Sequence, residues 1–180
     1  MQFRITTMLS CTLALLIAAP ANAEASASDH VLLVVSGYGA DDGKTRPGFE
    51  MDELSQAYAV FSDNGLQVDI ASPTGGAVVA EKFNRNKPYN ARFLSDSNAV
   101  AKLTSTQSIA NLRDKKYSAI FIIGGKGAMF DLPVSADLKT MLARTYEEGG
   151  VIGAVCHGPA VLMNLPLKNG SSLLEGRAVT

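Results

Sequence analysis

Cys156 stands in a sequence context that could make a sulfur nucleophile. In Gly149-Gly150-Val151-Ile152-Gly153-Ala154-Val155-Cys156-His157-Gly158-Pro159-Ala160, two glycines lead into a short apolar run that ends at a cysteine between small residues. Gly-Pro-Ala then suits the opening of a helix. The order predicts a strand, a sharp turn and a helix, with Cys156 lifted off the C-terminal end of the strand. Serine hydrolases mount their nucleophile on such a turn as Gly-x-Ser-x-Gly; here the pattern reads Ala-x-Cys-x-Gly. A cysteine in an α/β core is more often a small buried hydrophobe. At this junction, however, the first free amides of the helix and its dipole favour the thiolate, which is the reactive form.

Few other residues could act on that sulfur. The chain has two histidines, His30 and His157. His30 opens a predicted strand at the opposite end of the sheet. His157 is adjacent to the cysteine, and its ring either faces the sulfur or turns aside into another hydrogen bond. A nucleophile-histidine-acid triad needs a histidine from elsewhere, and none occurs before Thr180, which disfavours a peptidase or amidase. Gly124-Gly125-Lys126-Gly127 follows a predicted strand, and its bare amides could form an oxyanion pocket with Lys126 beside it; the alternative is an ordinary tight turn. It is neither a P-loop, since Gly-x-x-x-x-Gly-Lys-Ser/Thr is absent, nor a dinucleotide fingerprint, which belongs after the first strand. Asp52 and Glu53 fall in the first turn of a predicted helix, where acids usually complement the dipole and stay exposed. Glu53 precedes Leu54 and can turn inward. Beside a cysteine its carboxyl would have a raised pKa, suited to proton transfer. No metal-ligand cluster is visible, so no metal is expected.

The elements that must position these residues read as alternating strands and helices. His30 to Ser36 is a continuous apolar run, a strand buried on both faces. Residues 37–48 form a loop at its C-terminal end, where open α/β sheets place ligands. Residues 51–64 read as a helix with Leu54, Ala57, Tyr58 and Phe61 at helical spacing, ended by Gly65. Gln67 to Ala71 is a second strand, stopped by Ser72-Pro73. Residues 74–105 are the least regular part, with a turn or two of helix expected at 98–103, and 108–114 reads as a short helix. Tyr117 to Ile123 is a strand. Ser135 to Glu148 is an amphipathic helix with Leu138, Met141, Leu142 and Tyr146 on its buried stripe. The expected fold is α/β, a three-layer sandwich with a mostly parallel, flavodoxin-like sheet.

Composition sets the remaining bounds. With 180 residues, 47% hydrophobic, a single domain with a proper core is expected. The formal net charge is -1, there is no Trp, and aromatic residues make up 7%, which implies no nucleic-acid partner and no stacking surface. A positive charge at Arg4, an uninterrupted run of small and apolar residues at 12–19, and Pro20-Ala21-Asn22-Ala23 with an Ala-x-Ala site predict a secretory leader at 1–23, with alternative cleavage after Ala27. The run is shorter than the ~20 residues of a spanning helix, and most of it follows Cys11, which disfavours a lipoprotein. The protein is therefore expected to be exported, to a bacterial periplasm, with no membrane attachment after cleavage. Cys156 is then its only thiol, and in an oxidising compartment a lone thiol must be buried or used. Arg177 to Thr180 reads as a strand beginning, so the domain, 30–180, is expected to continue past Thr180.

Taken together, Phe49-Glu50-Met51-Asp52-Glu53-Leu54, Val68-Asp69-Ile70-Ala71-Ser72-Pro73-Thr74-Gly75-Gly76, Ile123-Gly124-Gly125-Lys126-Gly127-Ala128-Met129-Phe130-Asp131-Leu132 and Ala154-Val155-Cys156-His157-Gly158-Pro159-Ala160 resemble the ThiJ/PfpI superfamily of the class I glutamine amidotransferase-like fold. They look most like the branch that holds glyoxalase III enzymes and stress chaperones. The resemblance implies Cys156 as elbow nucleophile, His157 as the histidine that follows it, Glu53 as the acid bonded to the cysteine, and Gly125 with the His157 amide as oxyanion donors, alongside Gly124 and Lys126. Lys126 stands where this branch commonly has histidine. The implied activity is conversion of small 2-oxoaldehydes such as methylglyoxal to 2-hydroxy acids without glutathione, metal or organic cofactor. The alternative is a stress chaperone or redox sensor. A homodimer is also implied.

Overall fold

β1 (His30–Val34) is the central strand of a five-stranded parallel sheet with the order β3-β2-β1-β4-β5. The computed structural model describes residues 30–39 and 44–177; the expected leader and the strand expected beyond 177 lie outside them. β2 (Gln67–Ser72) and β3 (Gln107–Ser108) flank β1 on one side, β4 (Ala119–Ile122) and β5 (Val151–Ala154) on the other. The register pairs Val31 with Val68 and Ala119, and Ile122 with Ala154. The chain builds outward through β2 and β3, then crosses back to β4. The direction of winding therefore switches between β1 and β4, and the crevice above their C-terminal ends is where such sheets bind ligands.

Helices cover both faces. Along β1, Val31, Leu33 and Val35 enter one core with Met51, Leu54 and Phe93, while Leu32 and Val34 enter the other with Leu138, Met141 and Leu142. This is the two-sided burial that a continuous apolar run predicts. α1 (Met51–Asp63) is capped by Glu50, whose side chain accepts the Asp52 N–H at 3.3 Å. α4 (Ala136–Glu147) is capped by Ser135, whose hydroxyl accepts the Leu138 N–H.

Two segments differ from the sequence reading. Residues 74–105, expected to be irregular except for a turn or two of helix at 98–103, contain α2 (Pro88–Ser95), which was not expected, and α3 (Ser97–Thr104), which was. In α2 the buried residues are Asn90 and Phe93, and a buried Asn gives no apolar period to detect. Asn90 is the hub: it accepts from the Ser55 hydroxyl at 2.6 Å and donates to the Asn84 carbonyl at 2.9 Å and to Asp52, which also pairs with Lys87. Hydrogen bonds from Lys87 and Asn90 hold the Asp52 carboxyl below the usual range. The second difference is the helix after Cys156, a single five-residue 3-10 turn, Gly158–Leu162. Asn164 adopts a positive φ of 52°, and Pro166 disfavours helical backbone at Leu165. The dipole that so short a turn offers Cys156 is correspondingly small.

Candidate active site

Three turns converge above the C-terminal ends of the strands. The first is the opening of α1. Its Glu50 N–H donates to the Gly124 carbonyl at 3.1 Å, and the Glu53 carboxyl accepts the Gly124 N–H at 2.7 Å. One helical turn thus grips residue 124 through both of its backbone groups. The second turn runs from Gly124 into the 3-10 segment Lys126–Met129. A β-carbon on Gly124 would lie 2.7 Å from the Cys156 β-carbon and 2.8 Å from Glu53 Oε2, so only glycine admits this approach. Gly125 has φ +90°, and a β-carbon there would meet the Glu50 nitrogen at 2.6 Å.

Cys156 occupies the third turn, with φ +55°, a left-handed conformation that side chains rarely adopt. The turn is held by Val155 N–H to Ile122 O at 3.1 Å and Gly158 N–H to Val155 O at 2.8 Å. The thiol is exposed. Of the two orientations open to the His157 ring, it takes the one facing the sulfur, with Nδ1 3.0 Å from Sγ. Glu53, half-buried, is also hydrogen-bonded to the thiol; burial pushes its carboxyl above the ordinary value, outweighing the Gly124 amide and Cys156 bonds, which favour the charged form.

Gly124 therefore meets both Glu53 and Cys156, and Cys156 meets His157. Gly125 is buried against the backbone of Phe49 and Glu50. Its N–H is the one left over in the turn, because those of Gly124, Lys126 and Gly127 go to Glu53, Glu81 and the Gly48 carbonyl among the described residues. Lys126 lines a cleft with residues of the 78–85 segment. His30 begins β1 at the far end of the sheet.

Asp131 and Glu81 hold these turns in place, although the sequence showed no partner for either. Asp131 accepts from the Ser36 hydroxyl at 2.8 Å and the Gly37 N–H at 2.7 Å, tying the end of β1 to the segment that carries Gly124. Burial raises its pKa. Glu81 accepts the Lys126 N–H at 2.6 Å. Asp131 falls inside one of the motifs, but a buried Ser36 partner is not visible in a linear sequence. Among the described residues no group of three or more His, Cys, Asp or Glu could hold a metal ion, and no helix is long and apolar enough to cross a membrane.

The sequence profile of the DJ-1/PfpI family matches residues 45–180. The chain belongs to the DJ-1/PfpI family. This is the family that the four motifs pointed to, and the parallel sheet with helices on both faces is its α/β fold. Glyoxalase 3 of Candida albicans is 32% identical over 161 residues, which is 83% of this chain and 67% of that protein. The glutathione-independent glyoxalase hsp3102 of Schizosaccharomyces pombe is 32% identical over 162 residues, 83% of this chain and 64% of that one. The crystal structure of glyoxalase III from Candida albicans superposes with a TM-score of 0.69 at 28% identity, covering 81% of this chain and 64% of that one. The chain thus spans about two thirds of the length of these relatives.

Proposed function

We propose that this DJ-1/PfpI protein converts 2-oxoaldehydes such as methylglyoxal to 2-hydroxy acids, with D-lactate the product from methylglyoxal. The observation that carries the reading is the exposed Cys156 thiol with His157 Nδ1 at 3.0 Å and the Glu53 carboxyl on the Gly124 amide that packs against it. The similarity to two glutathione-independent glyoxalases supports it.

The arrangement suits an internal redox reaction. Sulfur adds to the aldehyde carbon as the thiol proton passes through His157 to the aldehyde oxygen, giving a hemithioacetal. Glu53 removes the proton from that carbon, and the electron pair forms an enediolate with the neighbouring carbonyl. The hydroxyl proton of the first carbon passes to the oxygen of the second, Glu53 returns its proton to the second carbon, and the first becomes a thioester. Water then attacks the thioester, the carbon–sulfur bond breaks, and the thiol recovers its proton. One carbon is oxidised and its neighbour reduced, so the steps consume only water. A raised Glu53 pKa suits a group that takes and returns a proton near neutrality. The His157 and Gly125 N–H groups are the donors we assign to the oxyanion.

The test is D-lactate formation from methylglyoxal by the full chain, with loss of activity in Cys156→Ala; activity that survives this change overturns the chemistry. The exposed thiol also supports a second reading, a redox sensor oxidised by peroxide. Peroxide-induced sulfinic acid on Cys156 with no turnover of any 2-oxoaldehyde would favour that reading. The leader-like 1–23 segment supports export to the periplasm, and the family supports a homodimer.

A further inference from the structure

A cleft of about 710 Å³ is lined by Pro47, the 78–85 segment and Lys126. A bridge between Phe49 and Ala80 holds the 78–85 segment, with Phe49 N–H to Val79 O at 3.2 Å and Glu81 N–H to Phe49 O at 2.8 Å. Lys44, Lys82, Arg85 and Lys126 all line it. Each is exposed. None of them has a carboxylate partner among the described residues. The one carboxylate that lines the cleft among the described residues, Glu81, is engaged by the Lys126 backbone N–H. Four cations therefore face one pinned acid across a concave surface, which concentrates positive potential there.

The position of the cleft relative to the thiol gives that charge a use. Gly124 is in contact with both Cys156 and Glu53, and Lys126 is two residues further on. Two residues span at most about 7 Å, so the Lys126 backbone lies within that distance of the residue that packs against Cys156. A neutral three-carbon aldehyde carries no group for this charge to bind, whereas a longer 2-oxoaldehyde ending in a negative charge does.

We infer that the cleft binds the anionic group, phosphate or carboxylate, of the carbonyl substrate, and that the protein prefers acidic 2-oxoaldehydes to methylglyoxal. The inference rests on the 2-oxoaldehyde reading of Cys156 for its kinetic half only. Two measurements on the full chain test it. In the first, inorganic phosphate and acetate are titrated by calorimetry against wild type and Lys82→Glu/Arg85→Glu, with the neutral Lys82→Gln/Arg85→Gln variant as a control for folding. Saturable binding weakened by about tenfold or more in the charge-reversed variant is expected. Failure of both ions to saturate wild type, or binding that the variants leave unchanged, overturns the site. In the second, kcat/KM is compared for methylglyoxal, hydroxypyruvaldehyde phosphate and dioxovalerate, whose 2-oxoaldehyde ends in a carboxylate. The acidic compounds are expected to lead by about tenfold or more, with that ratio collapsing in the double variants. The stronger of the two identifies the anion, and equal values for all three, or a ratio the variants do not change, overturn the substrate preference. Ion binding that depends on Lys82 and Arg85, with no turnover of any aldehyde, keeps the anion site and overturns the 2-oxoaldehyde reading instead.

Discussion

Replacing Glu53 in two ways separates its chemical role from its structural one. Glu53→Ala removes the acceptor of the Gly124 N–H, which is otherwise held at 2.7 Å. Gly124 is buried, and a buried donor left without a partner costs about 1–3 kcal/mol. In a domain of this size that lowers Tm by roughly 2–10 °C. Glu53→Gln keeps an oxygen in place to accept that bond but cannot take up a proton from substrate, which should lower kcat by about 10²–10⁴. Its effect on stability has the opposite sign to that of alanine. Burial raises the Glu53 pKa despite two hydrogen bonds that favour its charge, so the folded state binds this proton more tightly than the unfolded one. Stability is then fully present below the ordinary value of 4.5 and falls as pH rises from there through the raised folded value. At pH 7 the neutral glutamine avoids that loss, so its Tm should equal or exceed that of wild type, and its stability should no longer fall across the same window. The assays are D-lactate formation from methylglyoxal and thermal unfolding at several pH values. A glutamine variant within threefold of wild-type kcat refutes the proton-transfer role. One that loses as much Tm as the alanine variant refutes the electrostatic argument.

Two further substitutions test how the site is held. Gly124→Ala places a β-carbon 2.7 Å from that of Cys156 and 2.8 Å from Glu53 Oε2. It should cost about 1–3 kcal/mol through overpacking and about 100-fold in kcat/KM through displacement of the reacting groups; wild-type kcat/KM would show that the three turns need not meet so closely. Asn90→Ala removes the buried link among Ser55, Asp52 and Asn84. A loss of roughly 2–3 kcal/mol is expected, lowering Tm by about 5–10 °C, and a shift under 2 °C would mean that the hub does not secure the 74–105 segment.

The order of strands and helices was legible because it is written in local patterns: apolar runs for strands buried on both faces, a 3.6-residue period in α1 and α4, and glycines where those helices stop. The Cys156 turn was legible for the same reason, since small residues around a cysteine between a strand and Gly-Pro describe a backbone that folds on itself. Contacts across the sheet were not. Glu53 and Asp52 are neighbours in sequence with the same charge, yet Glu53 grips the Gly124 peptide while Asp52 faces α2. The α-helical turn sends successive side chains about 100° apart, and only what packs on each side decides which carboxyl is buried. Asn90 and Asp131 left no periodic trace because their partners lie in other elements. Lys126, adjacent to the glycines of the site, lines a cleft with the 78–85 segment, a neighbour that its position in the sequence does not show. The sequence alone determined which backbone could form a tight turn at Cys156 and a bare one at Gly124. Only the tertiary structure decided which side chains meet there, because that depends on the packing of strands and helices far apart in the chain.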